Sequence, residues 1–149
     1  MPVDGELPSI GFDGIIHPLR ILLADDNQSN QILFSRILED AGHSVRATAR
    51  GDQAFDAMAE GDLDLAILDL NMPEMTGPDV IKLYRASSVG GTKLPIMIIS
   101  ADATPAARQE SIEAGADEFL VKPIAAAKLL GAIERLVAAA TDSAERSTA

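Results

Sequence analysis

Five side chains of this sequence have the types that phosphate chemistry needs. They are the carboxylates of Asp25, Asp26 and Asp69, the hydroxyl of Ser100 and the ammonium of Lys122. Each stands at the end of a short apolar run. Ile21–Ala24 leads into Asp25 and Asp26, Leu65–Leu68 into Asp69, Ile96–Ile99 into Ser100, and Phe119–Val121 into Lys122. Two adjacent carboxylates repel one another unless a cation or water separates them. Mg2+ suits such a place, because it takes oxygen ligands at about 2.1 Å and keeps waters beside one or two carboxylates. Asp69 can ligate a metal or attack phosphorus to form an acyl phosphate. Ser100 can donate to a phosphoryl oxygen, and Lys122 can reach one or pair with Asp69 as a point charge with three donors.

Each residue also has an ordinary explanation. Asp26 or Asn27 can be a helix N-cap, Asp69 can start the turn of a Pro- and Gly-containing loop, Ser100 can cap a turn, and a lone lysine is usually solvated. Met72 and Met75 read as loop-packing residues, while His17 and His43 lie beside Pro or Gly and read as surface or turn residues. The assignment therefore rests on joint placement, which requires the runs to be parallel strands. Open α/β sheets place their sites outside the carboxyl ends of the strands.

The intervening segments supply that arrangement. Gln28–Ala41 carries Leu33, Ile37 and Ala41 at helical spacing, with Phe34 and Leu38 beside them and Gly42 closing the helix. Asp52–Glu60 repeats the period through Phe55, Met58 and Ala59, and Pro78–Ala86 through Val80, Ile81 and Tyr84. Thr104 caps Pro105–Ala114, which Gly115 ends, and Ala125–Ala140 carries Leu129, Leu130, Ile133, Leu136 and Val137. With the more polar run Ser44–Thr48 as an edge strand, this gives five β-α units. The pattern predicts a three-layer α/β/α sandwich with parallel pairing and right-handed crossovers. Residues 1–18 read as a linker or flexible leader, 19–140 as the domain, and 141–149 as a frayed tail.

The formal net charge of −11, from 12 basic and 23 acidic residues, disfavours direct contact with nucleic acid or anionic lipid. No apolar stretch approaches the roughly 20 residues that span a bilayer. The absence of cysteine excludes disulfides and is compatible with a cytoplasmic location, although a parent protein could be membrane-anchored.

Ala24-Asp25-Asp26-Asn27, Leu68-Asp69-Leu70-Asn71-Met72-Pro73-Glu74-Met75-Thr76-Gly77, Ser100-Ala101-Asp102 and Phe119-Leu120-Val121-Lys122-Pro123 together resemble the signature of response-regulator receiver domains. The resemblance covers about residues 20–140. It implies a flavodoxin-like, five-stranded parallel sheet in the order 2-1-3-4-5, with Asp69 as phosphoacceptor. It further implies Mg2+ held by the side chains of Asp26 and Asp69 and the backbone carbonyl of Asn71, with Asp25 acting through water. Ser100 would be the hydroxyl that moves to the phosphoryl group, Lys122 its cationic partner and Phe119 the aromatic switch. Phe119 lacks the tyrosine hydroxyl of many receivers, so switching there is expected to work by packing.

The implied partners are a histidine kinase domain or a histidine phosphotransfer domain, with homodimerisation or intramolecular docking through an output face as further options. Asp26-Asn27, followed by Asn30-Gln31, is similar to receivers fused to hybrid sensor histidine kinases. Asp56–Glu60 and Pro123–Leu130 resemble the receivers of sensor kinases for diffusible fatty-acid signals. The residues after Ala140 read as a short tail, in which no output module is expected. Two rivals stand beside the hybrid-kinase parentage: a free-standing single-domain response regulator, and an Mg2+-dependent phosphatase with an aspartyl nucleophile. The latter resembles haloacid-dehalogenase enzymes, whose Asp-x-Asp pattern Asp25-Asp26-Asn27 does not match.

Overall fold

The computed structural model describes residues 18–87 and 94–148. In chain order the elements are β1 (Arg20–Ala24), α1 (Gln28–Asp40), β2 (Ser44–Thr48), α2 (Gly51–Ala59) and β3 (Leu65–Asp69). They continue with α3 (Gly77–Ala86), β4 (Ile96–Ser100), α4 (Pro105–Ala114), β5 (Glu118–Val121) and α5 (Ala126–Thr148). The strands pair in parallel in the order β2-β1-β3-β4-β5. This is the order that the receiver resemblance implies.

The two-residue period of the strands sorts the core onto two faces. Leu22, Ala24, Ala66, Leu68, Ile96 and Ile98 pack with Ala54, Met58, Val80, Ile81 and Tyr84 under α2, α3 and α4. Ile21, Leu23, Leu65, Ile67, Met97 and Ile99 pack with Phe34, Leu38, Leu129 and Ile133 under α1 and α5. Every residue of β3 and β4 is buried, as central strands covered on both faces must be. β2, the polar run, lies at an edge.

Three details differ from the sequence pattern. Leu33 lies off the α1 stripe that faces the sheet: Phe34 and Leu38 are buried, whereas Ile32 and Leu33 are exposed. His43 is buried rather than at the surface, and its Nδ1 accepts the Leu19 amide at 3.0 Å. Burial holds its pKa below the ordinary histidine value, with Glu134 opposing the shift. The last helix continues to Thr148, past the expected stop at Ala140. Residues 141–148 contain neither Gly nor Pro, so nothing there breaks the helix. The expected linker, apart from Pro18, lies outside the described residues, as does His17.

Among the described residues, no helix is long and apolar enough to cross a membrane.

Candidate functional site

The site is built at the carboxyl ends of β1, β3, β4 and β5. Asn27 is the N-cap of α1, its side chain accepting the Asn30 amide at 2.9 Å. The capping role therefore falls to Asn27, and the neighbouring acids are left for the pocket. Asp25 is fully buried: one oxygen accepts the Asn27 amide at 2.9 Å and the other faces Lys122 Nζ at 3.3 Å. Asp26 is exposed at the rim. Asp69, 7% exposed, places a carboxylate oxygen 3.4 Å from the same Lys122 ammonium.

Carboxylate oxygens of Asp25, Asp26 and Asp69 lie within 4.8 Å of one another. One half-buried lysine thus serves two of three converging acids. The Asp69 pKa is pushed up to about 6, first by burial and next by the Asp25 charge, with Lys122 pulling the other way. An all-oxygen donor set carrying excess negative charge fits a hard divalent cation, and its few protein ligands with one open side fit Mg2+.

The loops around the pocket are fastened at close range. The Gln31 amide donates to the backbone carbonyls of Asp25 at 2.7 Å and Thr48 at 2.9 Å, lashing the ends of β1 and β2 together. Gly77 opens α3 directly beneath Asp69, where a Cβ would stand 2.6 Å from the Asp69 carbonyl oxygen. Thr76 and Asp79 form a reciprocal capping box there. Asn71 follows in the exposed start of that loop, two residues beyond Asp69.

Ser100 ends β4 fully buried, with its hydroxyl turned to its own turn. It accepts the Asp102 amide at 2.8 Å and donates to the Asp102 carbonyl at 3.2 Å. The Lys122–Pro123 peptide bond is cis. Phe119 lies apart from the acids, buried on the α3 and α4 side of the sheet, with the Arg108 guanidinium 5.0 Å from its ring centroid. Gln31 and Gly77 stand within the motifs quoted from the sequence but have no role assigned there, and Arg108 carries no signal in it.

Residues 21–134 match the response regulator receiver domain family. The chain belongs to that family. This receiver is 40% identical over 134 residues to the sensory/regulatory protein RpfC of Xanthomonas campestris pv. campestris, covering 89% of this chain but 18% of that protein. It is 31% identical over 119 residues to the transcriptional regulatory protein CusR of Escherichia coli K12, covering 80% of this chain and 51% of the other. The receiver therefore spans about a fifth to a half of the length of these curated relatives.

Solved structures agree in fold. The chemotaxis protein CheY4 of Vibrio cholerae aligns with a TM-score of 0.74 at 32% identity, covering 80% of this receiver and 99% of that chain. The receiver domain of sensor histidine kinase PA1611 from Pseudomonas aeruginosa, which has a magnesium ion coordinated in its active-site cleft, aligns with a TM-score of 0.76 at 28% identity. That alignment covers 82% of this receiver and 99% of the other chain.

Proposed function

We propose that this receiver accepts a phosphoryl group from a phosphohistidine onto Asp69, in Mg2+, and that it serves as the receiver of a hybrid sensor histidine kinase. One observation carries the site assignment: the carboxylate of Asp69 is held beside Lys122 and clustered with Asp25 and Asp26 at the mouth of the sheet. The likeness to a sensory/regulatory protein about five times as long, and to the receiver domain of a sensor histidine kinase, supports the parentage. In such a phosphorelay the partners are a histidine kinase domain and a histidine phosphotransfer domain.

In the reaction an Asp69 carboxylate oxygen attacks phosphorus in line. The new P–O bond forms as the P–N bond to the donor imidazole breaks, and the imidazole nitrogen takes the electron pair. Phosphoryl transfer needs positioning and charge neutralisation more than covalent help. The side chains of Asp26 and Asp69 and the carbonyl of Asn71 would hold Mg2+, with Asp25 acting through water, and the ion would supply charge neutralisation for the phosphoryl oxygens. Lys122 already stands between Asp25 and Asp69 and can turn its ammonium to the product. Ser100 adds a hydrogen bond by rotating its hydroxyl away from Asp102. The expected output face is Ala103–Ala114, Glu118–Val121 and Ala125–Ala140, through which a homodimer or an intramolecular contact would form. Resonances there should shift when a phosphoryl mimic binds.

The test is labelling by a phosphohistidine donor in the presence and absence of Mg2+. Wild type should take one label per chain, dependent on Mg2+, and Asp69→Asn none. Undiminished labelling of Asp69→Asn would refute the site assignment, and rapid multiple turnover of small phosphate esters would refute the receiver reading. The second reading is a free-standing single-domain response regulator; the chemotaxis protein CheY4 and the receiver domain of kinase PA1611 are both covered to 99% of their chains, so these likenesses are compatible with either reading. A reading frame continuous with kinase-coding sequence decides between the two.

A further inference from the structure

Phe119 is 2% exposed and has no hydroxyl, so packing and its π face are what hold it in place. That face is covered by Arg108: 5.0 Å from guanidinium carbon to centroid lies inside the ~6 Å reach of a cation–π contact. Arg108 belongs to α4, whose buried positions are the small residues Ala107, Ser111 and Ala114. Small residues leave that helix little apolar surface to anchor it. The Arg108 side chain is the large group that α4 lays against the ring.

The first turn of α4 is joined to the pocket by a run of hydrogen bonds. Ser100 Oγ bonds to both the amide and the carbonyl of Asp102. Asp102 Oδ1 accepts the Thr104 amide at 2.8 Å, and Thr104 Oγ1 accepts the Ala107 amide at 3.2 Å. Ala107 is the residue before Arg108. A serine hydroxyl has one proton. If it goes to a phosphoryl oxygen, the Asp102 carbonyl loses its donor, and the turn that sets the start of α4 is released.

We infer that Arg108 is a positioning residue for Phe119: it holds the buried ring and couples ring position to the pocket through Thr104, Asp102 and Ser100. This rests on the phosphoacceptor reading of Asp69 and adds to it a residue outside the pocket. The Arg108–Phe119 contact belongs to the arrangement in which Ser100 is turned to Asp102. By reciprocity, removing a contact made in that arrangement must favour the other one. The pocket of an Arg108→Met variant should therefore bind a phosphoryl mimic more tightly, although the contact removed is one with Phe119.

The experiment measures beryllium fluoride binding in Mg2+ by titration for wild type, Arg108→Met and Arg108→Lys, with the Phe119 ring and Asp102 amide followed by NMR. Arg108 is exposed, so the variants should fold, and thermal melting confirms that they have. Arg108→Met should tighten apparent affinity about two- to fivefold, the range that an exposed cation–π contact carries. It should also shift the Phe119 ring and Asp102 amide signals before any mimic is added. Arg108→Lys, which keeps the cation, should return part of both effects.

Unchanged or weaker affinity in Arg108→Met, or unmoved ring and amide signals, overturns the inference. A wild-type pocket that takes no beryllium fluoride overturns the phosphoacceptor reading instead, and the ring and amide signals then still decide whether Arg108 positions Phe119.

Discussion

The two edges of the sheet treat their charges in opposite ways. At the amino edge Asp64 and Asp117 each precede a strand and do the same work. Asp64 accepts the Arg20 amide at 2.8 Å, and Asp117 accepts the Ile96 amide at 2.9 Å, so each clamps the first residue of the neighbouring strand. Each is also paired with an arginine, Asp64 with Arg20 and Asp117 with Arg85. The Arg85 guanidinium reaches the Leu94 and Gly115 carbonyls too, both at 3.1 Å, tying α3 to β4 and to the end of α4. At the carboxyl edge three carboxylates converge, and one lysine faces two of them. Acids at one edge are matched to donors within the fold. At the other they are left short of positive charge, and the deficit is what a divalent cation and a phosphoryl group can fill.

Substitutions at the two edges should separate stability from chemistry, and the largest effect is expected in the pocket. Asp69→Asn should abolish phosphoryl labelling altogether while raising metal-free stability by on the order of 1 kcal/mol, because it removes a buried charge that Asp25 repels. Labelling and urea unfolding on the same preparation check both halves. A variant that loses stability would break the contrast between the edges. Arg85→Met should do the reverse, costing about 2 kcal/mol in urea unfolding by taking the guanidinium donor from the Leu94 and Gly115 carbonyls and the cation from Asp117, which keeps the Ile96 amide. It should still take the label.

The edges should also differ in sign with pH. The Asp69 pKa is raised in the fold, so the native state holds the extra proton, and metal-free stability should fall as pH rises from about 4 through about 6. Saturating Mg2+ should remove this fall, as should Asp69→Asn, in melts across that range. The His43 pKa is lowered in the fold, so its contribution is present above the ordinary histidine value and is lost as pH falls through the lowered one. The smallest effect is expected here, an acid-side loss that His43→Gln should flatten. A loss that persists in His43→Gln would assign it to another group.

The sequence carried the units of this fold plainly because its local signals agree. The β3 and β4 runs are apolar throughout, Thr104 and Gly115 bracket α4, and Pro78 starts α3. Periodicity was less informative where a helix has apolar residues on more than one face. Leu33 shares the spacing of a core position, yet α1 turns Phe34 and Leu38 to the sheet instead. His43 was misplaced for a related reason, since nothing local reveals that a histidine will receive the amide of a residue 24 positions away.

For the site, residue type and strand-end position were enough to name Asp25, Asp26, Asp69, Ser100 and Lys122, because a parallel sheet brings such ends to one edge whatever the loops do. The tertiary structure decided how they share charge: Lys122 divided between Asp25 and Asp69, Asp26 left at the rim, and the Ser100 hydroxyl occupied by Asp102. It also placed Arg108 over Phe119, a contact set by the packing of α4 against β5 rather than by any spacing along the chain. Local chemistry and hydrophobic period act over a few residues and are written in the sequence. Distances between groups from different elements depend on how whole helices settle on the sheet, and these emerge only in the folded molecule.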